Sequence, residues 1–168
     1  QARIEKGEAF DMTILGDGAI NDLVRQGRLD AATRAVVARS GLGVAIRKGT
    51  TKPDISTTDS FKRTLLNAQS IAYLVDGLTG TYLKDLFQRL GITESMQAKY
   101  RNARGAEAVA RGEAELGVTQ ISEILHETGT ELAGPLPPEI QNYTNFSSAV
   151  SAGARQPDAA KALLKYLA

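Results

Sequence analysis

The run Ser70 to Ile92, SIAYLVDGLTGTYLKDLFQRLGI, constrains the fold most, because it asks for a strand, a glycine loop and a helix in immediate succession. Ser70 to Val75 is a short, mostly apolar stretch with β-branched and aromatic members, which predicts a buried strand. Asp76, Gly77 and Gly80 end it with turn chemistry. From about Thr81, Tyr82, Leu86, Phe87 and Leu90 recur at helical spacing, and Gly91 stands where a C-cap glycine belongs. A strand that feeds a helix through such a loop leaves backbone N–H groups unspent at the positive end of the helix dipole, a geometry that accepts an anion.

The rest of the chain repeats the same grammar. Phe10 to Leu15 predicts a strand, Gly16-Asp17-Gly18 a turn, and Ile20, Leu23 and Val24 one face of a helix ended by Gly27. Gly41 to Arg47 reads as a strand, and Ser56-Thr57-Thr58-Asp59 as a capping box that opens a helix burying Phe61, Leu65 and Leu66. Thr93 to Arg101 is polar and carries no clear period. Ala103 to Arg111 predicts a short helix capped by Gly112, Leu116 to Ile121 a strand, and Ser122 to Leu125 a helical turn. Gly134-Pro135-Leu136-Pro137-Pro138 is the strongest breaker. Phe146 to Ala152 predicts a strand, and Pro157 opens a last helix with Ala160, Leu163, Leu164 and Leu167 on its core face.

Strands and helices in alternation predict an α/β fold of mostly parallel sheets flanked by helices. An internal echo divides it. Lys6-Gly7-Glu8-Ala9, a helix end, glycine cap and lead into a strand, returns as Arg111-Gly112-Glu113-Ala114. The spacing is too long for a solenoid and fits two lobes built from one unit.

Composition narrows the function. The chain has 168 residues, 20 basic and 19 acidic, with no basic run, so it carries no nucleic-acid footprint. No stretch of ~18 apolar residues could span a bilayer. With no cysteine there is no disulfide, thiolate metal site or cysteine nucleophile. His126 is the only histidine, which leaves a metal centre or a Ser-His-Asp triad without support. No phosphate-loop or dinucleotide fingerprint occurs, and no cofactor is expected.

In open α/β sheets ligands sit beyond the C-terminal ends of strands. Three such places are visible: Gly16 to Gly18, Gly77 to Thr81, and Thr119 to Ser122. The second offers N–H groups and the Thr79 and Thr81 hydroxyls; the third offers Thr119, Ser122 and the Gln120 amide. For the threonines, helix capping alone is the competing reading, and it uses the same N–H groups. Arg104 either clamps an anion or stays solvated. All of this favours binding over catalysis.

The segments ARSGLGVAIRKG, KPDIST, SIAYLVDGLTGTYLKDLFQRLGI, ARGEAELGVTQISEIL and GPLPPEIQ, in this order, resemble bacterial extracellular solute-binding proteins of the type II periplasmic binding fold, in their molybdate-binding-like branch. The resemblance implies a two-lobed Venus flytrap. Residues 1–47 and 144–168 would form the first lobe and 48–143 the second. It implies anion contacts at Thr79, Gly80 and Thr81, at Asn102 and Ala103, and at Gln120 beside Thr119, where the branch uses a tyrosine. It also implies that the first lobe is partial here, its opening strands belonging to a longer chain or a partner segment. The edge at Phe10 to Leu15 would then invite self-association.

Three functions are open on this reading. The first is capture of a small anion, a molybdate-like oxyanion or a small carboxylate, outside the cytoplasm for delivery to an ABC permease at the membrane. The second is an isomerase of small tricarboxylates, which needs a general base, with Asp17, Asp76 and Glu123 as candidates. The third is the effector-binding domain of a transcription regulator.

Overall fold

The computed structural model describes residues 2–168. In chain order its elements are α1 (Ala2–Glu5), β1 (Met12–Gly16), α2 (Asp17–Arg25), β2 (Ala35–Arg47), α3 (Thr58–Asn67), β3 (Ile71–Tyr73), α4 (Leu78–Arg89), α5 (Thr93–Lys99), β4 (Tyr100–Asn102), α6 (Gly105–Ala110), β5 (Leu116–Gln120), α7 (Ile121–His126), β6 (Thr130–Pro135), β7 (Tyr143–Val150) and α8 (Pro157–Leu167). Short 3-10 turns occupy Ala31–Thr33 and Pro138–Ile140.

The chain forms two compact units, Gln1–Ser40 with Thr144–Ala168, and Gly41–Tyr143. The first boundary lies inside β2, not after Arg47, because β2 is one uninterrupted strand with residues in both units.

In the first unit β1 pairs antiparallel with β7, from Met12 opposite Val150 to Gly16 opposite Phe146. Ile20 and Leu23 of α2 are fully buried and pack with Ile4, Leu29 and Ala149. On α8 only Ala160 and Leu164 are buried; Leu163 and Leu167 lie on the next stripe and are exposed. That face is narrower than the sequence predicts, since an i, i+4 pair suffices to seat the helix.

In the second unit β3 pairs in parallel with both β4 and β5, with Ile71 opposite Tyr100 and Leu116. Parallel pairing belongs to these three strands, each joined to the next through helices. β2 runs antiparallel to β5 and to β6. The pleat separates two cores. Leu42, Val44, Ile71, Tyr73, Leu116 and Val118 meet Phe61, Leu65, Leu83, Leu86, Phe87 and Met96 on one face. On the other, Ala45 and Ala72 meet Ala106, Ala108, Val109 and Ile124.

Local rules place the helix ends. Thr57 accepts a hydrogen bond from the Ser60 N–H at 3.1 Å while the Ser60 hydroxyl accepts one from the Thr57 N–H at 2.9 Å, which closes the capping box of α3. The echo between Gly7 and Gly112 is a shared backbone device. The Gly7 N–H donates to Ile4 O at 2.9 Å and the Glu8 N–H to Arg3 O at 3.1 Å; the Gly112 N–H donates to Val109 O at 3.0 Å and the Glu113 N–H to Ala108 O at 2.8 Å. Both glycines take positive φ, 83° and 76°, so each closes a Schellman cap. Among the described residues no helix is long and apolar enough to cross a membrane.

Phe61 is fully buried on α3, so Phe61→Ala should cost about 3–5 kcal/mol. Thr57→Ala, which removes only the cap, should cost about 1 kcal/mol. Urea unfolding of the two variants checks the order; equal losses would contradict this account of α3.

Candidate functional site

The C-terminal ends of β3, β4 and β5 share one edge of the second unit, since Tyr73 stands opposite Asn102 and Ala72 opposite Gly117 in parallel register. The starts of α4, α6 and α7 follow directly from these strands. That edge carries all seven residues singled out by sequence: Thr79, Gly80, Thr81, Asn102, Ala103, Thr119 and Gln120.

α4 begins one turn earlier than its apolar period suggests, with Gly77 at the N-cap and Thr79, Gly80 and Thr81 inside the first turn. The Thr81 hydroxyl donates back to Gly77 O at 3.3 Å, so its hydrogen is spent on the helix. Thr81 N–H also donates to Gly77 O, at 3.1 Å. The N–H groups of Leu78, Thr79 and Gly80 precede that first bond and, with the Thr79 hydroxyl, find no acceptor among the described residues. Gly80 is buried where the helix start touches the loop that leads into it. A Cβ there would lie 2.2 Å from Leu74 O and 2.4 Å from Val75 O.

Asn102 and Ala103 behave differently from the expected helix start. Asn102 ends β4, and its Oδ1 accepts the Val75 N–H at 3.4 Å, which ties the β3–α4 loop to the next strand. The Ala103 N–H closes a tight turn on Arg101 O at 3.0 Å, and α6 starts only at Gly105. Arg104 caps α6 and pairs with Glu107 at 3.0 Å, so its charge is answered within its own helix.

Thr119 is buried, and its hydroxyl donates to the Glu123 carboxylate on the first turn of α7. Gln120 is half-buried at the N-cap of α7. Tyr73, a core or cleft-wall residue on its sequence, ends β3 against Tyr100, which the sequence did not single out. The rings of Tyr73 and Tyr100 pack 4.7 Å apart, tilted by 41°, and Phe87 meets Tyr73 edge-on at 5.9 Å. The Tyr100 phenol oxygen is buried without a hydrogen-bond partner among the described residues. Burial, and then the nearby Asp76 carboxylate, hold the Tyr100 hydroxyl above the usual phenol range. The signal was weak because Tyr100 opens a three-residue strand in polar sequence.

Of the three candidate bases, Asp17 belongs to the first unit. It opens α2, accepts the Ser147 hydroxyl and pairs with Arg34 at 2.6 Å. Those two partners, Ser147 first, hold its carboxyl below the usual range, which makes it a weaker base. Asp76 and Glu123 lie in the second unit, on the β3–α4 loop and on α7. Among the described residues no group of three or more His, Cys, Asp or Glu could hold a metal ion.

The family model described as bacterial extracellular solute-binding protein matches residues 1–168. A curated relative from Pseudomonas sp., aconitate isomerase, is 39% identical over 171 residues, covering 99% of this chain; the chain spans 64% of that relative's length. The periplasmic molybdate-binding protein of Azotobacter vinelandii superposes with a TM-score of 0.69 at 19% identity, over 99% of this chain and 75% of that one. The spermidine/putrescine ABC transporter substrate-binding protein of Streptococcus pneumoniae does so with a TM-score of 0.66 at 15% identity, over 99% and 65%. At such identities the likeness establishes the fold, the α/β fold of type II periplasmic binding proteins. One of these proteins is named for an anion and the other for polyamines, so the fold does not set the charge of the ligand.

Two outcomes follow from the geometry. Gly80→Ala should cost about 1–3 kcal/mol by overpacking. Gly77→Ala, whose Cβ meets nothing nearer than 3.7 Å, should cost less than about 1 kcal/mol; thermal melts of both decide it. For Asp17, a depressed folded-state pKa means its stabilisation is present above the unfolded carboxylate value near 4 and is lost as pH falls through the lower folded value. The unfolding midpoints of wild type and Asp17→Asn should differ by a constant amount from about pH 7 to about pH 5, then converge below about pH 4. A difference that ignores pH would contradict the assignment.

Proposed function

The chain belongs to the bacterial extracellular solute-binding proteins, and we propose that it captures a small organic carboxylate at the edge formed by β3, β4 and β5. The carboxylate is taken up outside the cytoplasm, in the periplasm or beyond it, and passed to the permease of an ABC transporter. The observation that carries this reading is the donor set at the start of α4, a helix of 12 residues. Its unspent N–H groups and the Thr79 hydroxyl hold a carboxylate through dipoles, with no formal counter-charge.

Two further observations favour a carboxylate over a tetrahedral oxyanion. Leu74, Val75 and Leu78 flank the helix start with 45%, 41% and 69% of their surface exposed. A carbon skeleton can cover that apolar surface, whereas an inorganic oxyanion cannot. The relative named aconitate isomerase shares 39% of residues with this chain, against 19% for the molybdate-binding protein.

The same relative supports a second reading, an isomerase of small tricarboxylates. That chemistry needs a general base. Asp17 is held ionised by Ser147 and Arg34, so Asp76 and Glu123 are the better candidates.

A thermal-shift series with cis-aconitate, trans-aconitate, citrate, molybdate and sulfate tests both. A ligand at a hundred times its Kd adds about 2.7 kcal/mol of stability. Stabilisation by at least one carboxylate, with none by molybdate or sulfate, is expected. Stabilisation by molybdate alone, or by nothing, would overturn the carboxylate assignment. Incubation with trans-aconitate followed by proton NMR then separates the two readings: accumulation of cis-aconitate marks an enzyme, and an unchanged spectrum a receptor.

A further inference from the structure

At the opposite edge of the same sheet, where β3 and β5 begin and β2 ends, lies a cavity of ≈ 680 Å³ within the second unit. Its polar wall includes Arg47, Thr51, Asn67, Gln69, Ser70 and Glu115. The main chain there is tightly tied. The Gln69 N–H donates to Glu115 Oε2 at 2.7 Å, the Glu115 N–H to the Ser70 hydroxyl at 3.0 Å, and the Leu116 N–H to Ser70 O at 3.1 Å.

Two formal charges face this space without neutralising each other. The Arg47 guanidinium makes no hydrogen bond or ion pair among the described residues, although the end of its own strand lies beside Glu115. Its place is set by Gly112: a Cβ on that residue would come 2.1 Å from Arg47 Nη2, and the positive φ of 76° keeps the site a glycine. Glu115 spends one oxygen on the Gln69 N–H and keeps the other. The cavity also receives the C-terminal ends of α3, at Asn67, and of α6, just before Gly112; the first is answered by the Lys99 ammonium on Leu66 O and the second by its glycine cap, which leaves Arg47 and Glu115 as the charges that face the space.

We propose that this cavity is a second binding site, for a small zwitterion that carries one carboxylate and one ammonium group, as a free amino acid does. Arg47 receives the carboxylate through the fork geometry that guanidinium and carboxylate share. The Glu115 carboxylate receives the ammonium, and the Asn67 and Gln69 amides serve what remains of the ligand. A simple anion would face Glu115 and a simple cation would face Arg47, whereas a ligand with both charges meets a partner for each. The site is separate from the edge proposed for the carboxylate, so either can fail alone.

Nitrogen-15 labelled protein titrated with neutral L-amino acids, one at a time, tests the assignment, with propionate and butylamine as single-charge controls. At least one amino acid should shift the amides of Thr51, Gln69, Gly112 and Glu115 while those of Thr79 to Thr81 stay in place. The Arg47→Gln and Glu115→Gln variants, both on exposed side chains, should each weaken that binding by about tenfold or more, as loss of a charge-assisted bond does. The controls should bind more weakly by a similar factor. Unmoved cavity amides with every amino acid, shifts confined to the α4 loop, or an affinity unchanged in Arg47→Gln would each overturn it.

Discussion

Backbone meets backbone where α4 and α6 begin, and the arrangement of the second unit depends on that contact. A Cβ at Gly117 would lie 2.4 Å from Gly105 O, one at Gly105 would lie 3.0 Å from Ala72 O, and one at Gly80 would lie 2.2 Å from Leu74 O. Gly105 and Gly117 let the start of α6 press onto β3 and β5, and Gly80 lets the start of α4 press onto the loop that follows β3. The core on α6's side is built to match, almost wholly of alanine: Ala45, Ala72, Ala106, Ala108 and Ala114. Larger side chains there would lift α6 from β3 and β5, and its first-turn N–H groups would leave the edge. The opposite face carries Phe61, Leu83, Leu86 and Phe87 and supplies most of the apolar burial. One face sets distance and the other supplies stability.

The same closeness explains why formal charge is scarce among the donors at the edge. N–H groups held by a rigid helix present their dipoles without reorganising, and neutral donors cost less than charges to desolvate when a ligand enters. Charges nearby are answered locally: Arg104 by Glu107, and Glu123 by the Thr119 hydroxyl. Asp17, in the first unit, is answered by Arg34 and Ser147. On the proposed reading, selectivity rests on shape and on the apolar rim of Leu74, Val75 and Leu78.

Where structure follows from short-range rules, the sequence was legible. The glycine caps at Gly7 and Gly112 and the strand-loop-helix from Ser70 onward depend on neighbours within one or two turns; the capping box of α3 was legible in kind but falls one residue later than Ser56–Asp59, on Thr57 and Ser60. What depends on distant partners was not. β4 is three residues of polar sequence, a strand only because β3 pairs with it. β6 runs through Gly134 to Pro135 despite the breaker, because it pairs with β2 and its proline stands at the last position, where a missing N–H matters least. β2 extends back to Ala35, well before the apolar run that marks it. At the candidate site the α4 loop was readable from Gly77 and Gly80. The spent N–H of Ala103, the engaged hydroxyls of Thr81 and Thr119 and the buried Tyr100 phenol were not, since each follows from a contact that no local pattern encodes.

The direction of the parallel strands orders the electrostatics of the second unit. Helices that follow β3, β4 and β5 start at the C-terminal edge, so positive dipole ends gather there, and a cation would add repulsion among donors that already suffice. The helices α3 and α6 end at the other edge, so negative dipole ends gather beside Asn67 and Gly112. A guanidinium is favourable in that place, and Arg47 occupies it, with Gly112 leaving the room. Neutral donors at one edge and a guanidinium at the other thus follow from strand direction, whereas the Glu115 carboxylate is held there by the Gln69 N–H. A ligand held by dipoles suits the first edge, and a ligand that brings both charges of its own suits the second.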